Sequence, residues 1–118
     1  MEVKWTKLIP LDQSGVNRIK EVPGVYRISH YDSNDQKYRI HYVGQAENLK
    51  ERLWQHLSGN EVNSCCSRFL KSYKCYFRAC VVSTQSNRDS VEVALYEKYK
   101  PECVERIPDV KAISINFE

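Results

Sequence analysis

The sequence has little glycine and proline and no long hydrophobic run. Its 118 residues include four Gly and four Pro, which excludes collagen-like and low-complexity chains. No stretch approaches the roughly 20 consecutive apolar residues of a membrane helix, and the first ten residues lack the apolar core of a signal peptide. We therefore predict one globular domain with no membrane partner. We expect it in the cytoplasm, or with the nucleoid or in the nucleus, and not secreted.

The cysteines lack the spacing of a metal site. The chain has five, with no C-x-x-C pair and no histidine at zinc-ligand spacing. Two adjacent cysteines do not pair easily with each other, and cytoplasmic thiols stay reduced. Apart from the number of cysteines, no feature of the sequence supports a small redox protein. We interpret all five as small apolar residues: Cys65, Cys66, Cys75, Cys80 and Cys103.

The net charge is weakly basic and unevenly distributed. The formal charge is +3, a weak indication of a nucleic-acid partner. Residues 45–80 hold six basic and three acidic residues, whereas residues 92–118 hold four basic and six acidic ones. The basic segment is either a surface that faces a polyanion or an ordinary solvated face. Its basic residues are Lys50, Arg52, Arg68, Lys71, Lys74 and Arg78.

Alternating β-branched and aromatic residues predict strands. Residues 24–30 and 38–44 alternate in this way around a polar loop at 31–37, which indicates an antiparallel hairpin with a long loop. Residues 73–83 indicate a third, largely buried strand. The sequence ISINF near the end is able to add an edge strand.

Helical periodicity or capping residues predict four helices. We place them near Val16–Lys20, from Glu47 to Leu57 with a stop at Ser58-Gly59-Asn60, across Ser64–Ser72, and from the caps at Ser86–Asp89 to Tyr99 before Pro101. The fold class is therefore α+β, with a small three-stranded antiparallel sheet flanked by helices. Within the single domain 1–118, we separate an N-terminal extension (1–21), a core (22–101) and a C-terminal tail (102–118).

Three motifs resemble the GIY-YIG nuclease superfamily. They are Gly24-Val25-Tyr26, then Tyr42-Val43-Gly44 within the stretch YVGQAENLKERLWQHL, and then a helix with Glu92 nine residues before Pro101. The last motif is similar to the closing helix of the excision-repair incision nucleases. The motifs occur in the expected order and span roughly residues 22–101.

The resemblance implies a DNA phosphodiesterase that uses one Mg²⁺ or Mn²⁺ ion. It implies that Tyr26 and Tyr42 face the scissile phosphate, that Arg52 contacts a phosphate oxygen and that Glu92 holds the cation. His56, four residues after Arg52, matches a position that is His in some homing enzymes of the family.

The chemistry of phosphodiester hydrolysis explains these residue types. A carboxylate is a hard oxygen ligand suited to Mg²⁺, which keeps most of its waters. Arginine can place two N–H donors on one phosphate. A cation lowers the pKa of a nearby tyrosine, so Tyr26 is the candidate to take a proton from water, with Tyr42 or His56 orienting the water or sharing the proton.

Helix geometry gives an independent view of two of these positions. At 100° per residue, Arg52 and His56 lie about 40° apart at the edge of an apolar stripe. Glu92 lies within roughly 60° of residues that should be buried, so its carboxylate needs a cation, an arginine or a hydroxyl as partner.

Each residue also has a structural interpretation. Tyr26 and Tyr42 are ordinary half-buried strand tyrosines in that view, Arg52 pairs with a glutamate such as Glu92, and His56 is a solvated surface histidine. The motifs favour the functional interpretation. Further DNA-backbone contacts are predicted at Lys50, Arg52, Arg68, Lys71 and Lys74.

One position departs from the family pattern. The family usually has an Asn three residues after the Pro, and here that residue is Val104; Asn116 substitutes only if the tail folds back. This departure supports an alternative function, a DNA- or protein-binding module with weak or lost catalysis. Since we expect no appended domain within 118 residues, a protein partner or a homodimer is the expected source of specificity, although no sequence feature supports a dimer.

Overall fold

The computed structural model describes residues 1–58, 63–104 and 106–118. Over these residues the chain forms one four-stranded antiparallel sheet in the order β1-β4-β2-β3, with four helices. The elements are β1 (Ile9–Pro10), α1 (Gln13–Val16), β2 (Gly24–Asp32), β3 (Lys37–Ala46), α2 (Leu49–Leu57), α3 (Ser64–Ser72), β4 (Cys75–Val81) and α4 (Gln85–Tyr99). The α+β fold class is confirmed.

The prediction of three strands was wrong by one. Strand β1 pairs with β4 at the edge of the sheet, where Ile9 lies opposite Phe77 and Pro10 opposite Tyr76. A two-residue strand is too short to show periodicity, and an edge is where a sheet tolerates proline. The N-terminal extension therefore contributes a strand to the sheet.

The hairpin of β2 and β3 is longer than predicted. The two strands stay paired as far as Asp32 and Lys37, with a register shift between Ile28 and Ser29. The connecting loop is therefore short, and the predicted long loop was wrong. Seven of the nine residues of β2 are buried, because this central strand is covered on both faces.

Helices α2, α3 and α4 each begin at a residue whose side chain caps the helix N-terminus. The side chains of Asn48, Asn63 and Thr84 accept hydrogen bonds at the starts of α2, α3 and α4. Helix α3 has the predicted bounds, and α2 and α4 differ from their predicted starts by one or two residues. Helix α1 lies three residues before its predicted position. Of the predicted stop after α2, Gly59 and Asn60 lie outside the described residues.

Two apolar clusters cover the two faces of the sheet. The first includes Tyr26 and Ile28 of β2 together with Leu49 and Leu53 of α2. The second includes Val25 and Val43 together with Val91 and Leu95 of α4, and the tail packs against it through Ile113, Ile115 and Phe117. Residues 113–117 form no strand, so the predicted edge strand was wrong, and the apolar residues of this segment cover the second cluster instead.

The interpretation of all five cysteines as apolar residues was wrong for two of them. Cys65 and Cys103 form a disulfide across 38 residues of sequence. Cys103 is brought to β3 by a bridge to Tyr42, and α3 packs against the same strand. The other three cysteines are free and buried.

Within the described residues, no helix is long and apolar enough to cross a bilayer.

Candidate active site

Gly44 allows the first motif tyrosine to lie close to the neighbouring strand. Tyr26 of β2 pairs with Gly44 of β3 in the sheet. A Cβ atom added to Gly44 would lie 2.5 Å from the Tyr26 hydroxyl oxygen and 2.6 Å from Cζ. The glycine of the second motif is therefore needed for the position of the tyrosine of the first.

The Tyr26 hydroxyl meets the imidazole of His56 in the interior. The oxygen lies 2.7 Å from Nε2 of His56, and Nδ1 of His56 lies 3.7 Å from Sγ of Cys66. With the imidazole proton on Nδ1, the Tyr26 hydroxyl donates to Nε2. His56 is 3% exposed, so the interpretation as a solvated surface histidine was wrong.

Burial keeps both groups of this pair neutral. Burial, and secondly Tyr42, raises the pKa of Tyr26 well above its ordinary value, although Arg52 acts in the opposite direction. Burial, and secondly Arg52, lowers the pKa of His56 to about 3. At Tyr26, burial thus acts against the lowering of the pKa that we predict for a bound cation.

Tyr42 and Arg52 lie next to this pair. The guanidinium of Arg52 donates from Nη2 to the Tyr42 hydroxyl at 3.4 Å and from Nη1 to Gln55 at 3.0 Å. The Tyr42 ring lies 5.1 Å from the His56 ring and 6.0 Å from the Tyr26 ring, measured between centroids. The structure thus brings four of the five predicted catalytic side chains into one cluster.

Glu92 completes the site from the other side of a cleft. The cleft has a volume of about 380 Å³ and is lined by Tyr42, Arg52 and Glu92 among others. Glu92 is 5% exposed, in agreement with the helix-face prediction for this carboxylate. Tyr26 and His56 are not among the residues that line the cleft; Tyr26 is fully buried, and His56 lines a different pocket.

The donors of this cleft fit a hydrated divalent cation. Glu92 offers a buried carboxylate at a cleft that Tyr42 also lines. Among the described residues, no three His, Cys, Asp or Glu side chains gather as a metal cage. Mg²⁺ suits such a site because it is bound by one or two carboxylates and keeps several waters.

Sequence reasoning missed several residues of the cleft. Gln45 and Gln85 both donate to Asp89, at 2.7 and 2.8 Å, and Gln85 also donates to Gln45 at 2.7 Å. Asp89 lies three residues before Glu92 on α4, and this helical spacing was the signal for it. Arg106 and Asp109 of the tail also line the cleft, and no pattern in the sequence pointed to them.

The idea that Asn116 replaces the family Asn was wrong. The tail does fold back, but the Asn116 side chain accepts from the backbone N–H of Val3 and donates to the Val3 carbonyl, both at 2.8 Å. Asn116 is thus held by the N-terminal segment and does not line the cleft. Val104, at the family position, is 48% exposed.

The predicted DNA contacts occupy different surfaces. Of these five residues, Arg52 alone lines the cleft. Lys71 and Lys74 line a second pocket of about 300 Å³ that also contains His56. Arg68 is exposed on α3, and Lys50 is half-buried on α2.

Comparisons with known proteins place this geometry in a family. The family described as "UvrC-like GIY-YIG domain" matches residues 22–103. No curated protein matches the chain significantly.

Solved structures of one protein, the N-terminal GIY-YIG endonuclease domain of UvrC from Thermotoga maritima, share the fold. A point mutant bound to its catalytic divalent cation has 22% identity and a TM-score of 0.60, over 80% of this chain and 94% of that one. A second such mutant has 22% identity and a TM-score of 0.57 over the same shares.

The magnesium-bound form of that domain has 22% identity and a TM-score of 0.57, over 76% of this chain and 91% of that one. At this identity the likeness establishes the GIY-YIG fold. Because the family match also covers most of the sequence, the chain belongs to the family of UvrC-like GIY-YIG domains.

Proposed function

We propose that the chain is a DNA endonuclease that hydrolyses phosphodiester bonds with one divalent cation, Mg²⁺ or Mn²⁺. The observation that carries the proposal is the cleft where a buried carboxylate, Glu92, lies with Arg52 and Tyr42. The related UvrC domain is described as an endonuclease domain bound to a catalytic divalent cation, and magnesium is named for one form.

Glu92 is the residue that would hold the cation. When bound, the cation would supply positive charge to the phosphate oxygens and make water more acidic. Asp89 lines the same cleft but already accepts hydrogen bonds from Gln45 and Gln85. Its role is to hold these two side chains in position.

Arg52 is the residue that binds the phosphate. It lines the cleft, and its contacts with Tyr42 and Gln55 hold the guanidinium in one orientation. Burial acts to lower its pKa, yet the contacts with Tyr26 and Tyr42 raise it, so the side chain stays cationic. A fixed cation at the place where negative charge develops stabilises the transition state.

Tyr42 orients the water, and the Tyr26–His56 pair positions Tyr42. Tyr42 lines the cleft and accepts a hydrogen bond from Arg52, whereas Tyr26 is fully buried. We therefore reassign the contact with water from Tyr26 to Tyr42. The rings of Tyr26 and His56 pack against the Tyr42 ring and restrict its rotation.

Cleavage assays with matched variants test the proposal. Supercoiled plasmid, branched DNA and single-stranded DNA are incubated with Mg²⁺, Mn²⁺ or EDTA. We expect Glu92→Gln to lose metal-dependent cleavage and Arg52→Gln to slow it by about 10²–10³. Glu97→Gln, on the exposed side of the same helix, should cleave like the unmodified chain. No cleavage in any metal, or equal cleavage by Glu92→Gln, contradicts the proposal.

A second candidate function is a binding module with weak or lost catalysis. The observation that favours it is Val104 at the position of the family Asn, with Asn116 held elsewhere by Val3. In that case DNA binding persists in EDTA, falls steeply with salt, and no metal restores cleavage. Binding by gel shift in EDTA, beside the cleavage assay, separates the two functions.

A further inference from the structure

Two arginines lie side by side on the sheet, apart from the residues that line the candidate active-site cleft. Arg27 of β2 and Arg78 of β4 are direct partners in the antiparallel pairing. Like charges directly opposite each other on a sheet are destabilising. Arg27 is only 5% exposed, which makes the arrangement more costly because a buried cation loses its hydration.

Neither arginine forms an ion pair with a carboxylate in the part of the chain that the structure describes. Among the residues that the structure describes, the ion pairs involve Arg39 with Asp32 and Asp35, and neither Arg27 nor Arg78 takes part in one. Burial, opposed by Tyr99 and assisted by Arg78, lowers the pKa of Arg27. The positive charge of Arg78 thus acts directly on that of Arg27.

The contacts of the two arginines hold them without compensating their charge. Arg27 lies 4.5 Å from the centroid of the Trp5 ring and donates from Nη1 to the Tyr99 hydroxyl at 2.9 Å. Arg78 donates from Nε to the backbone carbonyl of Thr6 at 2.8 Å. These partners fix the guanidinium groups in position and carry no negative charge.

Both arginines line an open cleft of about 500 Å³. Lys7 adds a third positive charge to its lining, which also includes Glu118. Ser29 and Tyr38 supply hydroxyl groups. The cleft therefore offers prepositioned N–H and O–H donors, and its basic residues outnumber its acidic one.

We propose that this cleft binds a phosphate monoester dianion. A phosphate monoester carries a charge of about −1.5 to −2 near pH 7 and three strong acceptor oxygens. Such an anion would compensate the adjacent charges of Arg27 and Arg78, and guanidinium groups pair with phosphate oxygens by parallel hydrogen bonds. The same chemistry is available from free phosphate, a nucleoside monophosphate or a 5′-phosphorylated end of a nucleic acid. The site is separate from the nuclease cleft, and its occupancy does not require cleavage.

Tryptophan fluorescence gives a local measurement. The chain has two tryptophans, so Trp54→Phe leaves Trp5, which stacks on Arg27, as the single emitter. In EDTA, sodium phosphate should change this emission saturably and raise the melting temperature, relative to sodium chloride at matched ionic strength. Dimethyl phosphate, a monoanionic diester, should bind more weakly.

Variants test which residues bind the anion. Arg78→Gln, on a half-buried side chain, should weaken phosphate binding about tenfold or more, because it removes a charged donor. Arg27→Lys keeps the charge but removes the fork of donors, and should also weaken binding. Arg18→Gln makes the same charge change at an exposed residue outside this cleft and should bind phosphate like the unmodified chain.

Two further kinds of ligand distinguish whether the phosphate belongs to a nucleic-acid end or to a small molecule. If a 5′-phosphorylated oligonucleotide binds more tightly than its unphosphorylated form, and Arg78→Gln removes the difference, the site takes nucleic-acid ends. If a nucleoside monophosphate competes and the two oligonucleotides bind equally, it takes small phosphates. The proposal is overturned if no phosphate ligand gives a saturable response beyond that of chloride, if dimethyl phosphate binds equally well, or if Arg78→Gln binds like Arg18→Gln.

Discussion

The histidines should make the folded chain lose stability as the pH falls. All three, His30, His41 and His56, are buried. Burial is the main cause that lowers the pKa of each, to about 3 for His41 and His56. In the unfolded chain the same groups titrate near 6.5. Below that value the unfolded state binds more protons, so the free energy of unfolding must decrease.

The surroundings of His41 show why a proton is unfavourable there. Its Nδ1 atom lies 2.9 Å from Nδ1 of His30, so the two rings share a single N–H···N hydrogen bond. Its ring stacks on Phe69 at a centroid distance of 4.3 Å. Within the described part of the chain, its Nε2 atom has no hydrogen-bond partner. A charged imidazole would therefore be both desolvated and poorly compensated.

The magnitude follows from the two pKa values. For a histidine that titrates near 6.5 unfolded and about 3 folded, the free energy of unfolding decreases by about 2 kcal/mol between about pH 7.5 and pH 5. His41 and His56 together give about 4 kcal/mol, and His30 adds in the same direction. This is a large share of the roughly 5–15 kcal/mol that typically stabilises a domain.

Urea unfolding followed by circular dichroism across this pH range measures the effect. Each additional proton bound by the unfolded state contributes a slope of about 1.4 kcal/mol per pH unit. Near pH 5, the slope for the unmodified chain should correspond to two or more additional protons bound by the unfolded state. For His41→Phe this number should be smaller by one. An unfolding free energy that stays constant from pH 7.5 to pH 5, or a folded-state histidine titration near 6.5 by NMR, would refute the reasoning.

Three other predictions concern stability and the site. Reducing the Cys65–Cys103 disulfide, which closes a loop of 38 residues, should lower the free energy of unfolding by ~4 kcal/mol. A dithiol should have no such effect on Cys65→Ser, and an equal effect on both proteins contradicts the cross-link. Gly44→Ala should destabilise the fold by about 1–3 kcal/mol in urea unfolding, because the new Cβ overlaps Tyr26; a neutral result would show that the ring has room to move. Tyr26→Phe removes the hydrogen bond to His56 and should cost about 1 kcal/mol of stability. It should also slow cleavage without changing DNA affinity in EDTA, whereas a loss of affinity would place Tyr26 in contact with DNA.

Local patterns were sufficient for most of the secondary structure. Alternation in β2 and β3 and the capping residues of α2 to α4 lie within a few positions of the elements they define, so short windows contain the information. The predictions failed where an element is two residues long, as in β1. They also failed in the tail, where apolar residues such as Ile115 and Phe117 pack against a cluster that no local pattern describes.

The candidate site was predictable to the extent that its residues lie in motifs. The motifs and the helix spacing named five residues. Four of them form one cluster in the structure, and the fifth, Glu92, lines a cleft with two members of that cluster. The direction of the pKa shift at Tyr26 was not predictable. It depends on the burial of the hydroxyl beneath other side chains, which is a property of the packed interior.

The sequence by itself determined the α+β class, the family motifs and the buried position of Glu92, because each rests on periodicity or on the spacing of neighbouring residues. Only the tertiary structure decided which distant groups meet. It joined Cys65 to Cys103, placed Asn116 against Val3, and set Arg27 beside Arg78 in the sheet. These contacts connect residues 38 or more positions apart, and strand register and packing, which local sequence does not specify, determine them.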